Sequence, residues 1–378
     1  MSSNEIVVVG GGLVGAAIAY GAARGGAAVT LLDQGDIAHR ASRGNFGLVW
    51  LQSKGAGFRR YARWSRDAVD HWKPLARELL ELTGIDVDLQ QNGGFWLGVS
   101  EKEMVEREAM LSAINAADGR TPFQMLDQQE LKARLPAIGP EVVGGSWCAL
   151  DGHVNPLKSL HALHAGLKLR GGRICNGVDI CEVGPLGKGK GFRAMSRNGR
   201  QWTGEKIVLA AGLSNDFLAP QLGLHAPVAA NRGQVLITER LKKFLLCPTN
   251  KARQTAEGTV QLGFSVEDVG LDDGTTVSAI EWIARRAVAT FPTLASAKLV
   301  RAWGALRVMT PDGSPIYQES AKYPGAFAAT SHSGVSLAGS HAYEIGPWVA
   351  GIQPAPDSIE EFAGERFLDT HRTFGNAH

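Results

Sequence analysis

Three glycines, Gly10, Gly12 and Gly15, follow directly on the apolar run Ile6 to Val9, and Asp33 stands 18 positions beyond the last of them. Residues of these types at this spacing suit the binding of a dinucleotide. One glycine makes a tight turn, one lets backbone amides approach a pyrophosphate, and one lets a helix pack closely on a strand, with the helix's amino end facing the anion. The carboxylate then accepts hydrogen bonds from the adenosine ribose hydroxyls. The expected contacts are Gly10, Gly12, Leu13, Val14, Gly15, Asp33 and Gln34. An acid with no base in its place argues against a 2'-phosphate.

The elements that must position these residues are a strand at Ile6 to Val9, a helix at Leu13 to Arg24 stopped by Gly25 and Gly26, and a second strand at Ala28 to Leu32. Farther on, Asn155 suits a helix cap and Pro156 a first helical position, with Leu157, Leu160, Leu163 and Leu167 at helical spacing before Gly171. Ile174 to Val183 reads as one strand, and Gly191 to Met195 with Gln201 to Thr203 as a hairpin around Asn198-Gly199.

Composition narrows the function further. The 378 residues include 47 glycines but no Gly-X-Y period, which excludes collagen-like and low-complexity chains. With 39 basic and 37 acidic residues intermixed, no field for nucleic acid or an anionic bilayer is expected, and a small solute is the expected ligand. Cys148, Cys175, Cys181 and Cys247 match neither a disulfide framework nor paired metal-ligand spacing, so reduced thiols, no metal and a cytoplasmic location are expected. Met1 to Glu5 lacks the positive lead of an export signal, and no membrane insertion is expected.

The polar loop Ala41 to Trp50, A-S-R-G-N-F-G-L-V-W, follows the second strand. Together with I-V-L-A-A-G at Ile207 to Gly212, R-A-W-G-A-L-R-V-M-T-P-D-G-S-P at Arg301 to Pro315 and T-S-H-S-G-V-S-L-A at Thr330 to Ala338, it resembles the FAD-dependent D-amino acid oxidase superfamily over nearly the full chain. The segments N-F-G-L-V-W-L-Q-S-K-G, D-G-H-V-N-P-L at Asp151, N-R-G-Q-V-L-I-T-E-R at Asn231 and R-Q-T-A-E-G-T-V at Arg253 are similar to a narrower group. That group comprises the flavin subunits of bacterial opine (octopine and nopaline) oxidases and of D-hydroxyproline dehydrogenases.

The resemblance implies an α/β fold: a Rossmann-type FAD domain (1–89, 146–212 and 300–378) interleaved with an α+β substrate domain on a mixed or antiparallel sheet (90–145 and 213–299). It implies that Ser42 contacts the pyrophosphate, that Asn45, Phe46, Gly47 and Leu48 border the flavin, that Val178 meets the adenine, and that Ala211 and Gly212 approach the cofactor. Backbone amides at Gly334, Val335, Ser336 and Leu337, before a final helix, would stabilise negative charge at flavin N1 and the C2 carbonyl. The flavin is expected to be held non-covalently, because no cysteine stands near His332 or Arg307 in the sequence.

Arg307, inside an apolar strand, is the expected carboxylate clamp, with Arg301 its rival. His332 is a hydrogen-bond donor near the pyrimidine, a base, or structural. Lys54 binds a second carboxylate, steers charge at the flavin, or is solvated; Arg59 and Arg253 compete for the second carboxylate. His153, Tyr61, Trp50 and Trp64 are further candidates for the pocket wall. The expected function is oxidation of the C–N bond of an opine or other secondary or D-amino acid, the imine then hydrolysing to an amino acid and a 2-oxo acid. The chain would be the β component of a hetero-oligomer, with α and γ partners carrying the electron-transfer centres. The alternatives are a component of a D-hydroxyproline dehydrogenase, a stand-alone glycine or D-amino acid oxidase using oxygen, and a non-enzymatic FAD-holding relay.

Overall fold

The computed structural model describes residues 5–35 and 41–368. A six-stranded sheet carries the nucleotide site. Its parallel strands run in the order Ala326–Thr330, Lys206–Leu209, Glu5–Val9, Ala28–Leu32 and Arg173–Cys175, with Ile316–Glu319 antiparallel on the outer edge. The continuous apolar run of the first strand is explained by burial on both faces. Ile6 and Val8 pack with Ile18, Ala19 and Ala22 of the helix Leu13–Arg24, whereas Val7 and Val9 pack with Phe192, Ala194, Leu218 and Leu222 on the opposite side.

The helix Pro156–Leu169 forms as its sequence dictates, the Asn155 Oδ1 accepting from the amides of Leu157 and Lys158. Leu160, Leu163 and Leu167 are buried, but Leu157 is exposed because it lies in the first turn, on the solvent side. The hairpin around Asn198-Gly199 is present as Phe192–Ser196 paired with Gln201–Gly204. The single strand expected at Ile174 to Val183 is instead two. Arg173–Cys175 closes the large sheet, the chain turns through Gly177 at φ +69°, and Ile180–Pro185 joins the hairpin's own sheet.

Over the nucleotide unit stand two further antiparallel sheets. One comprises Ala252–Gln254, Thr259–Gly263, Ala229–Arg240 and Leu299–Met309, and the other Gly94–Gly98, Gly144–Cys148 and Phe123–Asp127. Leu299–Met309 pairs along nearly the whole of Ala229–Arg240, so the expected domain edge at 299/300 falls within a paired strand, as does that at 145/146. The expected edge at 212/213 also separates Leu218, Ala219 and Leu222 from the nucleotide-side core that they join. Among the described residues no helix is long and apolar enough to cross a membrane, and no group of metal-ligating side chains converges.

Candidate active site

The glycine turn is built by close approach. Gly10 has φ +106°, and a Cβ there would lie 2.2 Å from the Ala210 carbonyl oxygen; a Cβ on Gly15 would lie 1.9 Å from the Gly10 oxygen. Gly15 is thus the glycine that lets helix and strand pack, and it lies behind the cavity wall. The helix that starts at Leu13 has no acid in its first turn, which leaves its amino end suited to an anion. Ser42 is folded onto that end, its Oγ accepting from the Leu13 amide at 2.9 Å. Asp33 is buried, and its two carboxylate oxygens accept from the amides of Gly11 (2.7 Å) and Gly35 (2.9 Å), so it also fastens the turn to the end of the second strand.

These residues surround a cavity of about 510 Å³. Gly10, Gly12, Leu13, Val14, Asp33, Gln34 and Ser42 line it, as do Asn45, Val178, Ala211, Gly212, Gly334 and Val335. A second cavity of about 550 Å³ lies beside it. Ala41, Asn45, His332 and Val335 line both, forming a shared wall. Phe46, Leu48 and Ser336 face the second cavity. Gly47 and Leu337 line neither: Gly47 is a turn residue at φ +88°, its amide donating to Asn45 Oδ1, and Leu337 is fully buried, its amide donating to the Ser333 carbonyl. The expected four-amide cradle therefore shortens to Gly334, Val335 and Ser336, whose amides have no partner among the described residues. The loop is held from behind by Trp72 Nε1 donating to the Val335 carbonyl and by a Tyr61–Ser333 hydroxyl pair at 2.9 Å.

The second cavity is strongly cationic. Arg307 reaches it from the strand Leu299–Met309, opposite Asn231 in the register. Its guanidinium donates to Asn231 Oδ1 (2.8 Å), the Arg232 carbonyl (3.2 Å) and the Ser265 carbonyl (2.9 Å), all neutral acceptors, and lies 4.9 Å from the Phe264 ring centre. Burial lowers its pKa to about 10, partly opposed by Glu267, so it is charged at neutral pH. Gly233 makes room for it, because a Cβ there would lie 2.2 Å from the guanidinium.

Lys54 also lines this cavity, and burial depresses its pKa to about 8 against the opposing charge of Asp151. Asp151 is itself fully buried and raised to about 7, chiefly by desolvation. It accepts from the Leu51 amide (2.6 Å) and Gln52 Nε2 (2.9 Å), in a network that continues through Gln52 to Arg107 and Ser146.

Of the other candidate cations, Arg59 and Arg301 are exposed. Arg253 is buried away from the cavity, donating to the Phe46 carbonyl and contacting His153. His153 is held down to about 3 by burial and by Arg253, which excludes it as a base. Trp50 lines the cavity, whereas Tyr61 and Trp64 belong to the core.

Sequence reasoning missed Lys251, Asn231, Gly233 and Phe264. Lys251 lies immediately before a short strand and reaches the cavity only because that strand pairs with Thr259–Gly263, a non-local contact without a local signal.

An anion-ready helix end, a row of amides at Gly334–Ser336 unpartnered among the described residues and a wall shared with a cationic cavity are what a dinucleotide-dependent oxidoreductase requires. FAD fits this arrangement. The chain belongs to the FAD dependent oxidoreductase family, which it matches over residues 5–350. It is 41% identical over 376 residues to the B subunit of the opine oxidase of Agrobacterium tumefaciens (strain Ach5), covering 97% of this chain and 98% of that protein. It is 39% identical to the corresponding opine oxidase chain of Rhizobium meliloti over the same shares. Among solved structures, a glycine oxidase from Geobacillus kaustophilus superposes with a TM-score of 0.84 at 21% identity, covering 95% of this chain and 98% of that one. The α/β flavoprotein fold expected from the sequence is the fold observed.

Proposed function

We propose that this enzyme oxidises the C–N bond of a carboxylated secondary amine of the opine type and acts as one component of a larger assembly. The observation that carries the reading is Arg307: a half-buried guanidinium with only neutral partners, in a cavity that shares a wall with the nucleotide site. It binds a substrate carboxylate through two parallel hydrogen bonds and so fixes the α-carbon toward the wall formed by His332 and Val335. FAD supplies the two-electron acceptor when bound.

The chain's own residues do the rest. The Gly334, Val335 and Ser336 amides offer hydrogen bonds where negative charge grows on reduction. Phe46, Leu48 and Trp50 form an apolar side of the cavity that limits water around the reacting carbon. The amine must lose its proton before its carbon is oxidised, and Lys54, lowered to about 8 and with the Asp151 carboxylate in its field, is assigned to take it. The substrate then gives up one hydride and one proton, and water adds to the resulting imine to release an amino acid and a 2-oxo acid. None of the four cysteines lines either cavity, which supports non-covalent FAD. The names of the opine oxidase relatives support partner chains, and the electron-accepting centres are assigned to those partners.

The test is product analysis. Incubation of the FAD-loaded protein with octopine or nopaline and an artificial electron acceptor is expected to yield amino acid and 2-oxo acid in equal amounts. Little hydrogen peroxide should form when oxygen replaces the acceptor. Absence of both products across octopine, nopaline, D-hydroxyproline, D-proline, sarcosine and glycine would overturn the proposal, and stoichiometric peroxide would instead make this a free-standing oxidase.

A further inference from the structure

The second cavity holds more positive charge than one carboxylate requires. Five basic and three acidic side chains line it, an excess of two positive charges. The pairing inside it shows which cations are spoken for. Arg286 makes a two-pronged ion pair with Glu103, each arm 2.8 Å long, and Glu103 also accepts from the Val99 amide. All three Arg107 nitrogens donate to Ser146 or Gln52, whereas the Arg307 Nε makes no hydrogen bond to any described residue. Three cations remain: Arg307, Lys54 and Lys251.

Lys251 differs from Lys54 in its surroundings. The Lys251 Nζ makes no hydrogen bond to any described residue and lies 4.0 Å from the centre of the Phe264 ring, the same ring over which Arg307 lies at 4.9 Å. The two positive groups are therefore no more than about 9 Å apart. Trp282 flanks the same ammonium at 5.7 Å. Its charged neighbours are Arg286 and Arg307, which repel it, and Glu103, which is already paired; burial and these cations together lower its pKa to about 8. Lys54, by contrast, has the Asp151 carboxylate in its field. A half-buried ammonium with two guanidiniums in its field and aromatic faces beside it, but no anion of its own, is an arrangement of like charges that a ligand anion would relieve.

We infer that Lys251 is the anchor for a second substrate carboxylate, so that Arg307 and Lys251 together select amines flanked by two carboxylates over those with one. The inference rests on the cavity being the amine-oxidising site. The carboxyl carbons of an iminodicarboxylate lie about 5 Å apart across the nitrogen. Ion-pair contacts of about 2.8 Å at each end let a bent dianion reach both cations across the Phe264 ring. With its amine neutral, such a substrate carries two negative charges, equal to the excess on the cavity wall. A monocarboxylate would leave Lys251 facing Arg307 uncompensated.

The test uses the FAD-loaded protein and two thioethers that cannot form an imine, thiodiacetate with two carboxylates and (methylthio)acetate with one, with binding followed by calorimetry. Wild-type protein is expected to prefer thiodiacetate by about 10- to 100-fold, the factor that a charge-assisted hydrogen bond is worth. Lys251→Met, which keeps an unbranched apolar stem against Phe264, should collapse that preference toward unity, and Lys251→Arg should restore part of it.

Retention of the full preference in Lys251→Met, or its loss in Lys54→Met instead, overturns the inference while leaving the oxidase reading intact. So does a wild type that binds the monocarboxylate through Arg307 without favouring the dicarboxylate. Failure of wild type to bind either thioether would overturn the amine-oxidising reading itself, and this inference with it.

Discussion

The sharpest prediction concerns Gly233, whose effect runs through the position of Arg307. Gly233 lies on the strand paired with that of Arg307, and an added Cβ would lie 2.2 Å from one terminal nitrogen of the guanidinium and 2.5 Å from its central carbon. Van der Waals contact needs about 3.5 Å, so Gly233→Ala must displace the guanidinium by roughly 1 Å or more while leaving its charge, its strand and its backbone hydrogen bonds in place. The colliding atoms are the far end of a flexible side chain, so the fold should absorb the change. Catalysis should not, because a misplacement of about 1 Å is worth on the order of 100-fold in rate, or about 2.7 kcal/mol of transition-state stabilisation.

The assay is kcat/KM for an opine together with FAD content and Tm, the latter two expected close to wild type. Arg307→Lys serves as reference, since it keeps the charge but loses the planar two-pronged contact. If Gly233→Ala folds, binds FAD and keeps its kcat/KM within about twofold, then the guanidinium position does not govern substrate orientation and the argument for Arg307 is wrong.

Other outcomes follow from the same geometry. Gly15→Ala drives a Cβ to 1.9 Å from the Gly10 carbonyl, a backbone atom that cannot swing aside. It should lower Tm and release FAD, which absorbance of the filtrate would detect, and full FAD retention would contradict the packing role. Lys54 is neutral above about pH 8, so a catalytic limb that rises toward that pH is expected in wild type and should vanish in Lys54→Met; an unchanged profile would assign the proton transfer elsewhere. Asp151 is raised above its unfolded value, so it is protonated in both states at low pH, and folding loses stability as pH climbs toward about 7, where the buried carboxylate must ionise. The difference in Tm between Asp151→Asn and wild type should therefore shift in favour of the variant from pH 4 to pH 8, and the opposite trend would refute burial as the dominant cause.

Much of the nucleotide site can be read along the chain because its determinants are local. The strand, turn, helix and acid from Glu5 to Asp33 are contiguous, and Gly11 and Gly15 answer to Asp33 and Gly10 within that unit while Gly10 answers to Ala210 beside it. Arg307 could be picked out because a guanidinium inside an apolar strand requires a partner. The break between Cys175 and Ile180 was legible in Asn176-Gly177, a turn dipeptide, but the apolar residues on either side of it were read as one run although they join different sheets. Lys251 and Gly233 were hidden for another reason. Their roles arise from strand pairing between segments far apart in sequence, Thr259–Gly263 with Ala252–Gln254 and Ala229–Arg240 with Leu299–Met309. Leu337 departs from expectation by a single residue of helix geometry, its amide turning inward to Ser333 where its predecessors stay unpartnered.

The most direct test is anaerobic mixing of the FAD-loaded enzyme with an opine while the flavin's visible absorbance is recorded. Complete bleaching in wild type, slowed by at least about 100-fold in Arg307→Ala at subsaturating opine, is the predicted result. A yellow protein that no carboxylated amine bleaches, or one that bleaches equally fast without Arg307, would contradict it.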